Sequence, residues 1–200
     1  ARYIVGSKAF DHSVICATEQ AVVADKPIAG RLKELMISEG AYFVDEVQAD
    51  ALRRTLFNPN GGMNVATVGK SPQYIAGLAG IQVPGKARIL VAHLNQAGRE
   101  EPLSREKLTT VLGWYEVNGW EAGCDRSIEL IQFGGRGHSL IIHSTDETPI
   151  MAFGLEKPVF RIGVNTMGTL GMIGMTTHIM PSLTLGSGGI GGSITGDNVS

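Results

Sequence analysis

At 200 residues the chain can bury one sizeable core, and 43% hydrophobic with 18% charged residues is the balance of a globular protein rather than a disordered one. Lys and Arg number 17 against 19 Asp and Glu, a net charge of -2 with no run of like charges, so neither nucleic acid nor an anionic membrane is an expected partner. No apolar stretch reaches membrane-span length, no signal peptide is visible, and two cysteines outside any CxxC pair build no disulfide framework, which points to a reducing, cytoplasmic setting.

The chain opens mid-pattern, at Ala1-Arg-Tyr-Ile-Val-Gly without an initiator Met, as if inside a helix or strand. A short loop, Ser13-Val-Ile-Cys16-Ala-Thr-Glu-Gln20, then presents one thiol ahead of the strand-like run Ala21-Val-Val-Ala24. Val14 and Ile15 are stiff at χ1 and favour extended backbone, so Cys16 is presented rather than packed on a helix face. Asp25 is the expected cap of a helix that enters through Lys26-Pro27, keeps Ile28, Leu32, Leu35 and Met36 on one side, and stops at Gly40. Residues 41–44 read as extended, and Asp45 as the cap of a second helix with Val47, Leu52 and Leu56 on its apolar face. Asn58-Pro-Asn-Gly-Gly is a loop, and Ser71-Pro72 starts a third helix that Gly80 ends.

Residues 88–94 and 111–117 are near-continuously apolar, as strands covered on both faces should be. Helices over 121–132 and 148–155 alternate with strands over 139–143 and 159–165. The expected fold is therefore α/β, a mostly parallel sheet flanked by helices, with a site at the carboxyl ends of strands. His138 would stand at the start of its strand and Asn165-Thr166 at the end of theirs, where they could help shape a pocket or merely cap the strand end. From Gly163 onward the composition turns to Gly, Thr, Ser and Met, and residues 163–200 read as an irregular but ordered closing segment that frays after about Gly196.

Gly186-Ser-Gly188-Gly-Ile-Gly191 fits the spacing of a dinucleotide fingerprint, but Ser193-Ile-Thr-Gly-Asp is a poor helix start and no acidic residue stands about twenty residues on, so it is not expected to cradle a phosphate. Cys124 sits in a helical pattern with Trp120 and Ile128 and is assigned to the core. His143 follows His138 by five residues with no further ligand at metal spacing, so no metal is expected.

Several stretches in order resemble one family. The segment Phe10-Asp-His-Ser-Val-Ile-Cys16-Ala-Thr-Glu-Gln-Ala-Val-Val is similar to the nucleophile segment of CoA-acylating aldehyde dehydrogenases: single-function acetaldehyde or propionaldehyde dehydrogenases, and the aldehyde half of bifunctional aldehyde–alcohol dehydrogenases. Glu106-Lys-Leu-Thr-Thr-Val-Leu, Gly137-His138-Ser, Arg161-Ile-Gly-Val-Asn165-Thr and Pro181-Ser-Leu-Thr-Leu-Gly-Ser-Gly-Gly match further landmarks. The resemblance implies an aldehyde-dehydrogenase catalytic domain spanning residues 1–200, with the cofactor-binding domain outside this chain. It implies Cys16 as nucleophile toward a small aldehyde, with Ile15 beside it in the pocket, and hydride transfer to NAD or NADP. Glu106 would hold the nicotinamide ribose hydroxyls, and His138 would act near the thiol of coenzyme A, the co-substrate that removes the acyl group from Cys16. A homo-oligomer built through a strand after Ser200 is implied for the full-length protein. A water-using aldehyde dehydrogenase that releases a free acid, and a non-catalytic folding or assembly module, are the alternatives. Residues 1–200 alone are expected to show no dehydrogenase turnover.

Overall fold

The computed structural model describes residues 1–134 and 137–180. Four strands form a parallel sheet: β1 (Ala21–Asp25), β2 (Ala41–Val44), β3 (Ile89–His93) and β4 (Val111–Val117), in the spatial order β1-β4-β3-β2. Two more, β5 (Ser139–Ile142) and β6 (Arg161–Val164), pair in parallel with each other. Every strand pair is parallel, as the alternation of strand and helix patterns requires. The difference from expectation is that the strands fall into two sheets, with β1 an edge of one and β5 an edge of the other.

Side-chain alternation along β3 and β4 builds a core on each face. Leu90, Ala92, Val111 and Tyr115 meet Leu52 and Leu56 of α3 (Glu46–Leu56) and Ile75 of α4 (Pro72–Ala79). Ile89, Val91, Leu112 and Trp114 meet Ile4 and Val5 of α1 (Arg2–Ala9) and Ala29 and Met36 of α2 (Lys26–Ser38). Burial on both faces is why these strands read as unbroken apolar runs. A third cluster, Cys124, Ile142 and Phe153, joins β5 to α5 (Gly119–Gly134) and α6 (Glu147–Glu156). The assignment of Cys124 to a core holds.

Caps explain most helix boundaries. Asp45 and Gln48 form a full capping box, Ser71 accepts from the Tyr74 amide, and Gly80 closes α4 at φ +69°. Asp25 does not cap α2: its Oδ1 accepts the Gly119 N–H at 2.8 Å instead, tying the end of β1 to the start of α5. Val47 is 78% exposed, and Ala49 takes the core position expected for it. Residues 163–180 contain a short helix, α7 (Gly168–Met172), packed on α1. Residues 181–200, including the Gly186–Gly191 fingerprint, lie outside the described part. No helix among the described residues is long and apolar enough to cross a membrane.

Candidate active site

Cys16 is exposed, at the turn between α1 and β1. The turn is not extended as the β-branched pair Val14-Ile15 suggested. Val14 is in the helical region, and the Thr18 N–H closes back on the Ile15 carbonyl at 2.9 Å. The chain enters this turn through three successive left-handed residues, Asp11 (φ 46°), His12 (φ 48°) and Ser13 (φ 66°). Each costs roughly 1–2 kcal/mol relative to a right-handed conformation. Ser13 repays part of this by donating its hydroxyl to the Lys8 carbonyl, whereas the exposed His12 side chain makes no hydrogen bond among the described residues. His12→Gly is therefore expected to raise stability by about 1 kcal/mol, read as a shifted urea midpoint, without changing the alkylation rate of Cys16.

Beside the thiol opens a cavity of about 470 Å³. Cys16, Glu106 and His138, separated by up to 122 positions (138 − 16), all line it. Each immediately precedes or closely approaches the amino end of a strand: Cys16 before β1, Glu106 before β4, His138 before β5. The expectation of a site at carboxyl ends is corrected accordingly. The connection from β3 to β4 carries only a short 3-10 turn, Pro102–Ser104, rather than a helix, and so leaves Glu106 free to face the cysteine loop. Deeper in, the cavity runs between the facing edges of β1 and β5 and is lined by Val23, Leu130, Leu140 and Phe153.

Ile15, Asn165 and Thr166 do not line this cavity. Asn165 lies past the carboxyl end of β6, where its side-chain amide is spent on Ser144: Oδ1 accepts the Ser144 N–H at 3.1 Å and Nδ2 donates to the Ser144 carbonyl at 2.8 Å. Thr166 is buried against Gly163 and Gly171 and shares a hydroxyl contact with Thr176 at 2.7 Å. Both residues hold the β5–β6 end together, on the side away from the strand starts.

Three buried side-chain polar atoms among the described residues lack a hydrogen-bond partner: Thr18 Oγ1, Glu19 Oε2 and His138 Nε2. All three belong to residues lining the same cavity. Orphaned polar atoms are rare in folded proteins and mark a place where a ligand or water completes the set. No described residue hydrogen-bonds the Glu106 carboxylate either, so its oxygens are available to donors that enter from the cavity.

Burial pushes the Cys16 thiol up, the negative charge of Glu106 adds to the rise, and the backbone amides of Cys16 and Ala17 oppose it. Burial lowers the His138 imidazole, with Glu106 acting against the shift, so the ring is neutral at pH 7. Its Nδ1 lies 3.0 Å from Ser139 Oγ, and its Nε2 is buried without a partner among the described residues.

Under the cysteine loop lies a polar layer that the amino-acid pattern did not disclose. Lys8 and Lys107 are fully buried. Lys107 Nζ donates to the carbonyls of Gln20, Leu103 and Arg105 at 3.0, 2.7 and 2.8 Å, and its backbone N–H donates to Gln20 Oε1 at 3.1 Å. Lys8 Nζ reaches the same Gln20 Oε1 at 3.4 Å. Gln20 is thus the joint between the loop bearing Cys16 and the loop bearing Glu106. Glu19 Oε1 accepts the Gly168 N–H at 2.8 Å, fastening the cysteine loop to α7. A Cβ at position 168 would stand 2.8 Å from the Ala17 carbonyl and 2.7 Å from Glu19 Oε1. Gly168→Ala is expected to cost about 1–3 kcal/mol and to slow alkylation of Cys16, because the intruding methyl pushes on the backbone one residue from the thiol. Among the described residues no group of three His, Cys, Asp or Glu side chains is arranged to hold a metal.

No family model matches the chain. Individual proteins do. Aldehyde-alcohol dehydrogenase 2 of Entamoeba histolytica is 38% identical over 205 aligned positions, which cover 98% of this chain and 24% of that protein. The crystal structure of an acetylating aldehyde dehydrogenase from Geobacillus thermoglucosidasius superposes with a TM-score of 0.93 at 42% identity, covering 100% of this chain and 44% of that one. A probable aldehyde dehydrogenase from Listeria monocytogenes superposes with a TM-score of 0.94 at 44% identity, again over 44% of its own length. The chain thus spans about a quarter to under half of the proteins it matches.

Proposed function

We propose that this chain, homologous over almost all its length to a segment of the acylating aldehyde dehydrogenases, is the nucleophile-bearing domain of an enzyme that converts an aldehyde to an acyl-CoA. The observation that carries the reading is the convergence of Cys16, Glu106 and His138 on one cavity, beside the unpartnered polar atoms. Residues 1–200 make up the catalytic domain in this reading, and the cofactor-binding domain belongs to the part of the relatives' length that these residues do not span.

Cys16 Sγ adds to the aldehyde carbon, forming the C–S bond and moving the carbonyl π electrons onto oxygen. The backbone amides of Cys16 and Ala17, which oppose the rise of the thiol, are the donors in the loop for that charge. A thiol held above its ordinary pKa needs a proton acceptor before it attacks, and a neutral imidazole in the same cavity meets that need. A bound nicotinamide cofactor, NAD or NADP, supplies the hydride acceptor. Glu106, its carboxylate open to the cavity, suits two vicinal ribose hydroxyls, since an ionised acceptor makes the stronger bonds. Loss of hydride leaves an acyl thioester on Cys16. Once that first proton has passed to solvent, the His138 imidazole takes the proton of the coenzyme A thiol, whose sulfur displaces Cys16 as thiolate and carries the acyl group away.

Two free thiols and no disulfide suit a reducing cytoplasm, and the homo-oligomer of the full-length protein rests on the family resemblance. The test is thioester absorbance in the full-length enzyme given aldehyde and NAD. Growth only when coenzyme A is present supports acyl transfer. Equal NADH formation without coenzyme A, with free acid as product, overturns it in favour of hydrolysis. Residues 1–200 alone are expected to give neither.

A further inference from the structure

Away from the cavity mouth, a second sulfur faces an unusual neighbour. Cys124 on α5 is 6% exposed, and its Sγ is in direct contact with Lys157 Nζ at the end of α6. The Lys157 side chain is entirely enclosed, with the Phe153 ring beneath Nζ at 4.5 Å from the centroid. A thiol is a weak hydrogen-bond acceptor. A sealed ammonium normally has a carboxylate or several carbonyls in contact, as Lys107 has; here the nearest carboxylate oxygen, Glu156 Oε2, stands 3.8 Å off. The same Oε2 is 3.5 Å from Cys124 Sγ. Nitrogen and sulfur are therefore buried together beside the exposed Glu156 carboxylate, and Cys124 packs with Ile142 and Phe153, two residues that also line the cavity.

We infer that Cys124 and Lys157 form a peroxide-driven covalent link, a sulfenamide between Sγ and Nζ. In the first step the sulfur attacks one oxygen of hydrogen peroxide; the O–O bond breaks, an S–O bond forms, and water leaves, so sulfur is oxidised by two electrons and peroxide reduced. In the second, Glu156 Oε2, 3.8 Å from Nζ, first takes one proton from the ammonium, and the lone pair so freed attacks the sulfenic sulfur. The S–N bond forms, the S–O bond breaks, and the departing hydroxide leaves as water with the second proton shed by nitrogen. The net change is the loss of two hydrogens from the protein. A sulfenic acid with no neighbouring thiol ordinarily advances to the irreversible sulfinic state. An amine already touching the sulfur intercepts it, and a thiol reductant reverses the product. The link would join α5 to the segment entering β6 and stiffen the wall shared with the cavity.

The test uses the Cys16→Ser chain, which removes the exposed thiol, treated with dilute hydrogen peroxide. The intact mass is expected to fall by about 2 Da and to recover with dithiothreitol, and proteolysis is expected to give a cross-linked peptide pair containing residues 124 and 157. In Lys157→Arg, which keeps a buried cation without an amine nucleophile, Cys124 is expected to gain about 32 Da as the sulfinic acid. Should the Arg variant fail to fold, peptide mapping of the Cys16→Ser chain decides by itself. A Cys124 that becomes sulfinic there, or stays a free thiol under peroxide, overturns the inference.

Discussion

Cys16→Ser in the full-length enzyme is expected to cut coenzyme A-dependent thioester formation by at least about 10³-fold while leaving the fold intact. The serine hydroxyl is nearly isosteric with the thiol and the site is exposed, so packing barely changes. Nucleophilicity changes greatly: a hydroxyl has no accessible anion near neutral pH, whereas a thiol yields its anion several pH units lower. Intact mass after incubation with aldehyde and NAD, without coenzyme A, should show an acyl adduct on the parent protein and none on the variant. An adduct that survives the exchange, or activity within about tenfold of the parent, would put the chemistry on another residue. Iodoacetamide offers a parallel reading, since Cys16 should label well before the enclosed Cys124, and its rate should climb with pH into the range to which burial and Glu106 have moved the thiol.

Much of this architecture is written in local pattern. The apolar runs of β3 and β4, the Asp45 box and the Ser71–Gly80 bounds of α4 each follow from a short stretch of residues, and all stand where those stretches place them. Errors arose where a residue had a tertiary alternative to its local one. Asp25 could serve α2 or reach across to Gly119, and it does the second. Val14 and Ile15 prefer extended backbone, but the demand for a tight reversal between α1 and β1 overrides propensity. Which end of the sheet holds the site is not a local property at all. It follows from strand order and from the helix-free β3–β4 connection, neither of which periodicity encodes. Asn165 stands at the end of its strand, as the pattern implies, and of the two uses open to it there its amide serves Ser144.

The buried lysines are the clearest omission, because Lys is almost never fully buried unless paired. One signal was present for Lys8: it lies four residues after Ile4, on the helix face that meets the core. Lys107 had none, since its three carbonyl acceptors come from a loop and from the residue before β1, brought together only by folding.

Those lysines also set the largest stability effect to be expected from pH. Burial draws the Lys8 amine down from 10.5 to about 7, against the opposing charges of Glu19 and Glu106. Burial and then the charge of Lys8 hold Lys107 well below the ordinary amine range. Over the window from pH 7 to the ordinary amine range the unfolded chain binds more protons than the folded one, so stability rises with pH there, and the gain is lost again as pH falls toward 7. For Lys8 alone the rise between pH 7 and pH 9, below the range in which Cys16 ionises, is about 2 kcal/mol. Lys8→Met keeps the length of the side chain, removes the proton-binding group, and relieves the repulsion that depresses Lys107. Both changes flatten the curve. Urea midpoints at pH 7, 8 and 9 should converge in the variant, with the variant more stable than the parent at pH 7 and the advantage shrinking by pH 9. Parallel curves for the two proteins would mean that Lys8 keeps its proton in the folded state, held by Glu19 and Glu106 more strongly than burial opposes it.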